Sequence, residues 1–254
     1  MSALHILPAR RRFFRRMQSP RQRGIALVIV VVLVLVSALL ALWGFRSTAL
    51  NEAVVGNDAD YLRAFEAAQA LIQDAELDIS GKRPDGKDCI PEPTNPKICR
   101  QTQLTSGMWF IDEQQLLGGL INHLSGKSPP CEEGICLKRS GNQDFWNDKT
   151  VLDTMIATGV AARYGQYTGA TTGNASNPIL ANQNDGEGGW YWVEIMSYEG
   201  EGVGGDVVKS DSSKKLTLNL NPSLVYRITA VARGRKPGTQ VVLQSTFAQR
   251  KTAD

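Results

Sequence analysis

The longest run of apolar residues in this chain extends from Ile25 to Trp43, nineteen residues that are apolar except for Ser37. A helix needs about 20 such residues to cross a hydrocarbon core of roughly 30 Å, so the run predicts a membrane-spanning helix. It begins directly after Arg23 and Gly24, with no polar spacer. A secretory signal is cut after its apolar segment. Here the small residue precedes the segment, which predicts cleavage after Gly24 and a helix that stays in the mature protein.

The helical pattern continues beyond the apolar run, because no proline occurs from residue 25 to residue 79. One helix of about 50 residues, near 80 Å long, is predicted to end at Ser80-Gly81. Its second part is amphipathic, and an apolar face with steps of three and four residues is predicted to pack on a sheet. The members of this face are Phe65, Ala68, Ile72, Ala75 and Ile79. The polar residues Arg63, Glu66, Asp74 and Asp78 lie off this face.

The C-terminal part alternates between apolar and polar residues, as half-buried antiparallel strands do. The predicted strands are Trp190–Tyr198, Lys215–Leu220, Leu224–Arg233 and Gln240–Phe247. A glycine-rich loop over residues 199–214 and a turn over residues 233–238 connect them. The predicted fold class is therefore α+β, with a long transmembrane and stalk helix packed on a four-stranded antiparallel sheet, and with long irregular loops.

The middle of the chain is predicted to be irregular. Prolines interrupt residues 81–150, where only a short helix around Glu113–Leu124 is expected, and residues 165–189 are predicted to form an exposed loop. The predicted organisation has five parts: a basic leader (1–24), the transmembrane part of the helix (25–45), an amphipathic stalk (46–80), a variable loop-rich region with the cysteines (81–189) and the C-terminal sheet (190–254).

The formal charge of +3 combines two regions of opposite sign. Residues 1–24 hold seven of the 28 lysines and arginines and no acidic residue, which leaves 21 basic against 25 acidic residues, or −4, in the rest. Basic residues beside a membrane span stay in the cytoplasm, so residues from about 46 onward are predicted to lie outside. Only Phe13 and Phe14 accompany the arginines, so nucleic-acid binding is not predicted, and contact with anionic lipid is a secondary reading.

All four cysteines follow the predicted span. An even number in an oxidising compartment indicates disulfides. Three connectivities are open, and pairing of neighbours, Cys89 with Cys99 and Cys131 with Cys136, is favoured because both intervening segments read as loops. A zinc site or free thiols are the alternatives. The zinc reading lacks a C-x2-C motif and has only His123 as a histidine after the leader.

No catalytic motif stands out in the sequence. The nucleophile elbow, the zincin motif, the phosphate-binding loop and the dinucleotide fingerprint are missing, so an enzyme is not predicted, nor are catalytic residues, a metal or a cofactor. Residues 182–187 carry oxygen ligands without the spacing of a calcium loop. Asn174–Ser176 matches a glycosylation sequon, and Trp190 with Trp192 is either a binding platform or a sheet cover.

Three stretches of the sequence resemble a known family. Residues 23–28 (RGIALV) look like a class III prepilin cleavage site. Residues 50–57 (LNEAVVGN) and 64–71 (AFEAAQAL) are similar to the stalk signature of PilX-type minor pilins of bacterial type IV pili. Residues 226–234 (YRITAVARG) and 241–247 (VVLQSTF) resemble the closing hairpin of that family. Residues 81–189 carry no part of the resemblance.

The resemblance implies a pilin-like fold and a defined life cycle. A prepilin peptidase would cut between Gly24 and Ile25 and methylate the new amine. The protein would first reside in the inner membrane by a single pass, with a cytoplasmic N-terminus and a periplasmic C-terminal domain, and would then enter a surface pilus. Its implied partners are other minor pilins and the major pilin, through the N-terminal helix, and a PilY-type tip adhesin. Together they would prime pilus assembly and serve adhesion and twitching motility.

One position departs from the general pilin pattern. Most pilins carry glutamate at the fifth residue after the cut, where this chain has Ile29. A carboxyl within the membrane is costly unless a neighbour neutralises it, and a subunit with none above it has no need of one, which favours a position near the tip. A GspK-like minor pseudopilin of type II secretion shares this lack but usually carries a large helical insertion. An uncleaved single-pass binding domain is a further alternative.

Overall fold

One helix, α1, runs unbroken from Arg23 to Ser80 in the computed structural model of the protein. The structure describes residues 23–91, 95, 97–100, 108–111, 114–173, 177–197 and 224–248. The chain divides into two compact units between Val54 and Val55. In the first unit, every described side chain from residue 24 to residue 54 is exposed. The second unit contains the rest of α1 and the folded domain, which has its own core.

Within the described residues, one mixed sheet of five strands follows in the order β1-β2-β3-β4-β5. The strands are β1 (Cys131–Glu132), β2 (Ile135–Leu137), β3 (Gly189–Ser197), β4 (Leu224–Arg233) and β5 (Gln240–Phe247). The expectation of a four-stranded, wholly antiparallel sheet was therefore wrong. The short hairpin β1–β2 adds an edge, and β2 pairs with β3 in parallel, with Ile135 opposite Val193.

The sheet is covered on both faces, so the prediction of half-buried strands was wrong for β3, where all nine residues are buried. Side chains of a strand alternate between faces. Tyr191, Val193 and Ile195 join the core under α1. Trp190 and Trp192 point the other way, into a second cluster that helix α3 (Lys149–Met155) and the 3₁₀ turn Phe145–Asn147 cover. Both tryptophans are buried and cover the sheet, so they form no exposed platform.

The apolar face of α1 is rotated from the predicted one. Ala68 and Ala75 are fully buried, but Phe65 and Ile72 are only partly buried at its border. The centre of the buried face is small, with Ala64, Ala67 and Leu71. Small side chains bring the helix close to the sheet, so Gly189 on β3 lies against the methyl group of Leu71. The two aspartates that lie off the predicted face, Asp74 and Asp78, are buried on the observed one.

Residues 81–189 are more regular than predicted. The predicted helix near Glu113–Leu124 is a 3₁₀ turn at Gln114–Leu116 followed by α2 (Leu117–Ser125). The segment 165–189 is not simply exposed, because several of its residues are buried, among them Tyr167, Thr168, Ile179 and Leu180. The leader up to residue 22, the sequon, the strand Lys215–Leu220 and the loop 199–214 lie outside the described residues.

The rotated face predicts different costs for two adjacent substitutions on α1. Leu71 is fully buried and Ile72 only partly, so Leu71→Ala should lower the free energy of unfolding by about 2–5 kcal/mol and Ile72→Ala by clearly less. Urea unfolding of the full chain in detergent micelles, followed by tryptophan fluorescence, measures both. A larger loss for Ile72→Ala than for Leu71→Ala would mean that the helix face is centred on Ile72, as the sequence pattern predicts, and equal losses would contradict the rotated face.

Candidate functional site

The predicted processing residues, Gly24 and Ile25, lie in the first turn of α1. Both are exposed, and nothing lies within 4 Å of the place where a Cβ of Gly24 would be. Among the described residues, one helix is long and apolar enough to cross a membrane, and it is α1, near the N-terminus. The first part of the candidate site is therefore an apolar helix whose side chains are exposed in the described part of the chain.

Within the described residues, buried carboxylates of the helix contact the folded domain at two places. The first is the stalk clasp, which Gly56, Asn57 and Asp60 of α1 form with the turn 234–239 between β4 and β5. The carboxylate of Asp60 accepts hydrogen bonds from the backbone N–H groups of Arg235 and Lys236, both at 2.9 Å. The side-chain oxygen of Asn57 accepts a third from the ammonium of Lys236 at 3.0 Å. The clasp thus fixes the turn on one side of the helix.

Two glycines make the close approach in the stalk clasp possible. A Cβ on Gly234 would collide with the Asp60 carboxylate and with the Thr239 side chain. A Cβ on Gly56 would lie 2.6 Å from the ammonium nitrogen of Lys236 and would displace it. Asp60 is 2 % exposed. Burial works to raise the pKa of Asp60, but hydrogen bonds from the backbone of Lys236 and Arg235 and from Thr239 outweigh it and lower the pKa, so the carboxylate stays ionised.

The second attachment is the buried carboxylate pair, Asp74 and Asp78, one helical turn apart on α1. Asp74 accepts hydrogen bonds from the Thr168 hydroxyl and, at 2.8 Å, from the backbone N–H of Gly165. Asp78 accepts one from the Tyr191 hydroxyl at 2.9 Å. Burial raises the pKa of Tyr191 well above its ordinary value, and the nearby Asp78 charge raises it further, so this hydroxyl remains a donor.

Arg100 supplies the positive charge for the buried carboxylate pair. Its guanidinium donates two hydrogen bonds to Asp78, at 2.6 and 3.2 Å, and the side chains are 3 % and 2 % exposed. Burial works to lower the pKa of Arg100, but Asp78 outweighs it and raises the pKa. The guanidinium carbon also lies 3.5 Å from the ring centroid of Tyr167. A buried charge of this kind is tolerated because a partner and hydrogen bonds surround it.

Two disulfides enclose the segments that reach Arg100. Cys89 is bonded to Cys99, the residue directly before Arg100, and Cys131 is bonded to Cys136. This is the pairing of neighbours that the sequence favours. The second disulfide closes the β1–β2 hairpin, and the carbonyl of Glu133 within it accepts a hydrogen bond from Arg100. Arg100 therefore ties both closed loops to the stalk helix.

The remaining residues that the sequence singled out do not form a reactive centre. Exposed His123 makes a hydrogen bond with Glu132 at 2.6 Å. In the loop 182–187, the side-chain amide of Asn182 donates to the Glu187 carboxylate at 2.8 Å. No group of three or more histidine, cysteine, aspartate or glutamate side chains suited to a metal occurs among the described residues. Sequence reasoning missed the Asp60, Asp78 and Arg100 contacts, whose only signal was a charged residue inside or beside an apolar pattern.

Two family models match this chain and identify its family. The N-terminal model of the PilX family matches residues 23–72, and the model described as type IV pilus assembly protein PilX, C-terminal part, matches residues 132–249. The chain belongs to the PilX family of type IV pilus assembly proteins. Neither the curated proteins nor the solved structures contain a significant match to it.

The two matched segments of this PilX-family chain meet in the stalk clasp. Asp60 lies in the N-terminal match and the turn at Arg235 in the C-terminal match. The Gly-Asn and Arg-Gly parts of the two signatures thus lie on either side of one contact. Asp74, Asp78 and Arg100 fall between the matches, so the buried carboxylate pair is built from residues outside both family models.

The stalk clasp predicts a specific cost for losing the Asp60 carboxylate. Asp60→Ala leaves two backbone N–H groups without their acceptor and should lower the free energy of unfolding by about 1–3 kcal/mol. Asp58→Ala is the matched control, because Asp58 is exposed two residues earlier. Urea unfolding of the full chain in micelles measures the difference, and equal effects of the two substitutions would rule out a stabilising role for the clasp.

Proposed function

We propose that this protein is a minor pilin that primes the assembly of a type IV pilus and is incorporated into it near the tip. The observation that carries the proposal is the α1 helix of a PilX-family chain, which is apolar from Ile25 to Trp43, has exposed side chains up to residue 55, and leads into a separately folded domain. An apolar helix whose side chains are exposed within the described part of its own chain has lipid or like helices as its natural surroundings. Membership of the PilX family indicates that the assembly which this helix joins is a type IV pilus.

In the proposed function the protein acts by binding other proteins, without catalysis. Its helix contacts other minor pilins and the major pilin, and its outward domain contacts a PilY-type tip adhesin. It begins in the inner membrane with the arginine-rich leader in the cytoplasm and the domain in the periplasm, and it ends on the surface pilus. Adhesion and twitching motility are the downstream functions, and neither a cofactor nor nucleic acid is part of the proposal.

The proposed place near the tip follows from Ile29. Without a carboxylate at this depth, the helix enters lipid readily and has no acidic group for the terminal amine of a subunit above it. A subunit that ends the filament has no such neighbour, so the loss costs nothing there. A subunit placed within the shaft lacks one ionic contact that its neighbours make.

The proposal predicts cleavage between Gly24 and Ile25 in cells. Intact mass and N-terminal peptide mapping should find a chain that begins at methylated Ile25, and a full-length chain in cells without prepilin peptidase. Gly24→Leu should block the cut, because the added side chain occupies the space that the peptidase needs. Gly44→Leu is the matched control, since Gly44 is equally uncrowded on the same helix and far from the cut.

Two results would overturn parts of this proposal. A chain that keeps its leader in the presence of the peptidase would make the protein an anchored binding domain. Correct processing together with normal surface pili and a secretion defect in the deletion strain would assign the protein to a secretion filament.

A further inference from the structure

A cleft of about 720 Å³ lies between the turn 234–239 of the stalk clasp and the loop 178–188. Its lining includes three basic residues, Arg233, Arg235 and Lys236, and one acidic residue, Glu187. The Glu187 carboxylate already accepts hydrogen bonds from two asparagine side chains, at 2.8 and 3.2 Å. The rim of the cleft therefore carries an excess of positive charge.

The three cations are not equally available. Arg233 donates to the carbonyl of Gly186 at 2.7 Å, and its guanidinium lies over the Trp190 ring. Arg235 is exposed, and no carboxylate of the described residues lies within ion-pair distance of its guanidinium. Lys236 is exposed and contacts the neutral Asn57. Arg235 and Lys236 are therefore the two cations that an incoming group can use.

This positive rim contrasts with the rest of the molecule after the leader, where 25 acidic residues exceed 21 basic ones. A local patch of the opposite sign orients an approaching partner and speeds its association. It also favours acidic partners, because the chain after the leader carries a net charge of −4 and this rim is positive.

Both walls of the cleft are fixed before anything binds. Asp60 holds the backbone at Arg235 and Lys236, and the turn is closed by a backbone hydrogen bond from Gly234 to Thr239 at 2.8 Å. On the other wall, the Arg163 guanidinium donates to three carbonyls of the loop, at 3.0 to 3.1 Å. Fixed walls lower the entropy cost of binding.

We propose that this cleft is a docking site for an acidic segment of a partner protein, with its carboxylates on Arg235 and Lys236. This inference rests on the proposed function in one respect, which is that the natural partner is another subunit of the pilus. The clasp then has two roles, since the same turn that attaches the stalk presents the two cations.

The cleft favours a peptide over nucleic acid. Its lining includes Pro178 and Pro237, which offer apolar contact to a peptide backbone. Binding of nucleic acid needs a track of cations along the phosphates and exposed aromatic side chains for the bases. The described lining of the cleft includes no aromatic side chain, and Trp190, under Arg163 and Arg233, is 1 % exposed.

The test uses the full chain, with the seven arginines of the leader replaced by glutamine in every sample so that they do not bind the acidic probes. The chain is placed in nanodiscs of neutral lipid with a fluorescent peptide of ten glutamates, and a DNA duplex of ten base pairs is the competing probe. Anisotropy should show binding of the peptide, and Arg235→Gln/Lys236→Gln should weaken it about tenfold. Lys87→Gln/Lys138→Gln is the matched control, because it removes the same charge from exposed positions elsewhere and should stay within about twofold. Urea unfolding establishes that both variants are folded.

The outcomes separate this inference from the pilin assignment. In cells, Arg235→Gln/Lys236→Gln should be processed normally at Gly24 and yet assemble fewer pili than the control variant. Peptide binding that is unchanged in the double variant overturns the docking site and leaves the pilin assignment intact. Tighter binding of the duplex than of the peptide, lost in the same variant, replaces the peptide with nucleic acid as the ligand.

Discussion

Replacing Arg100 with methionine should lower the free energy of unfolding by about 3–5 kcal/mol, the largest effect that we expect from a single substitution in this protein. The guanidinium makes two hydrogen bonds to Asp78 and one to the Glu133 carbonyl, all within the core. Methionine fills similar space but leaves a buried carboxylate without its cation. Urea unfolding of the full chain in micelles, followed by the fluorescence of the buried tryptophans, measures the loss.

Two further variants make this prediction sharp. Arg63→Met removes an exposed arginine from α1 and should change stability little, because exposed charges contribute little. Asp78→Leu/Arg100→Met removes both charges and should recover a large part of the loss, since an apolar pair can replace a buried ion pair. If Arg100→Met lowers the free energy of unfolding no more than Arg63→Met does, Arg100 does not stabilise the fold by pairing with the Asp78 carboxylate.

The second large effect depends on pH. Burial raises the pKa of Asp74 to about 6, with a contribution from the nearby Asp78 charge and against the hydrogen bonds from Thr168 and Gly165. Unfolding returns the pKa to its ordinary value of 3.8. The folded chain therefore holds a proton that the unfolded chain releases between these values. The stabilising contribution of Asp74 is complete below pH 4 and is lost as the pH rises through 6, by about 3 kcal/mol.

Asp74→Asn tests this sign. Asparagine does not ionise, so the variant should gain about 3 kcal/mol on the wild type between pH 4 and pH 7, whatever fixed cost its altered hydrogen bonds bring. Asp85→Asn is the control. Because hydrogen bonds from Lys87 lower the pKa of the exposed Asp85, this variant should lose stability relative to the wild type as the pH rises, which is the opposite direction. A difference between Asp74→Asn and wild type that does not vary with pH would mean that Asp74 titrates in the folded chain as it does in the unfolded one.

The sequence was sufficient for the elements that depend on local pattern. The apolar run of α1 and the alternation of β4 and β5 appear directly in neighbouring residues, because helix and strand periods are local properties. The pairing of neighbouring cysteines also follows from short loops. Strands β1 and β2 were missed because they have only two and three residues and lie beside Pro130 and Gly134. The parallel pairing of β2 with β3 joins residues 58 apart in number, Ile135 and Val193, and no local pattern encodes it.

The polar attachments could not be predicted for a different reason. A carboxylate on a helix is seldom part of its buried face, so Asp74 and Asp78 were placed off the predicted apolar face. The partner that makes their burial tolerable, Arg100, follows a proline-rich segment 22 residues away from Asp78. The position of the apolar face around the helix axis was also missed. The prediction centred the face on the large apolar residues Phe65 and Ile72, whereas close packing against a sheet selects the smaller alanines. Processing at Gly24, the tip position and the partners stay predictions.

The spacing of the two attachments has a mechanical consequence. Asp60 and Asp74 are fourteen residues apart on α1, which is about 21 Å along the helix axis. A pulling force transmitted along the helix acts on both contacts in parallel, and between them the alanine-rich face lies against the sheet. To tear the helix from its domain, such a force must shear the clasp and the buried carboxylate pair together, since neither can be peeled away first.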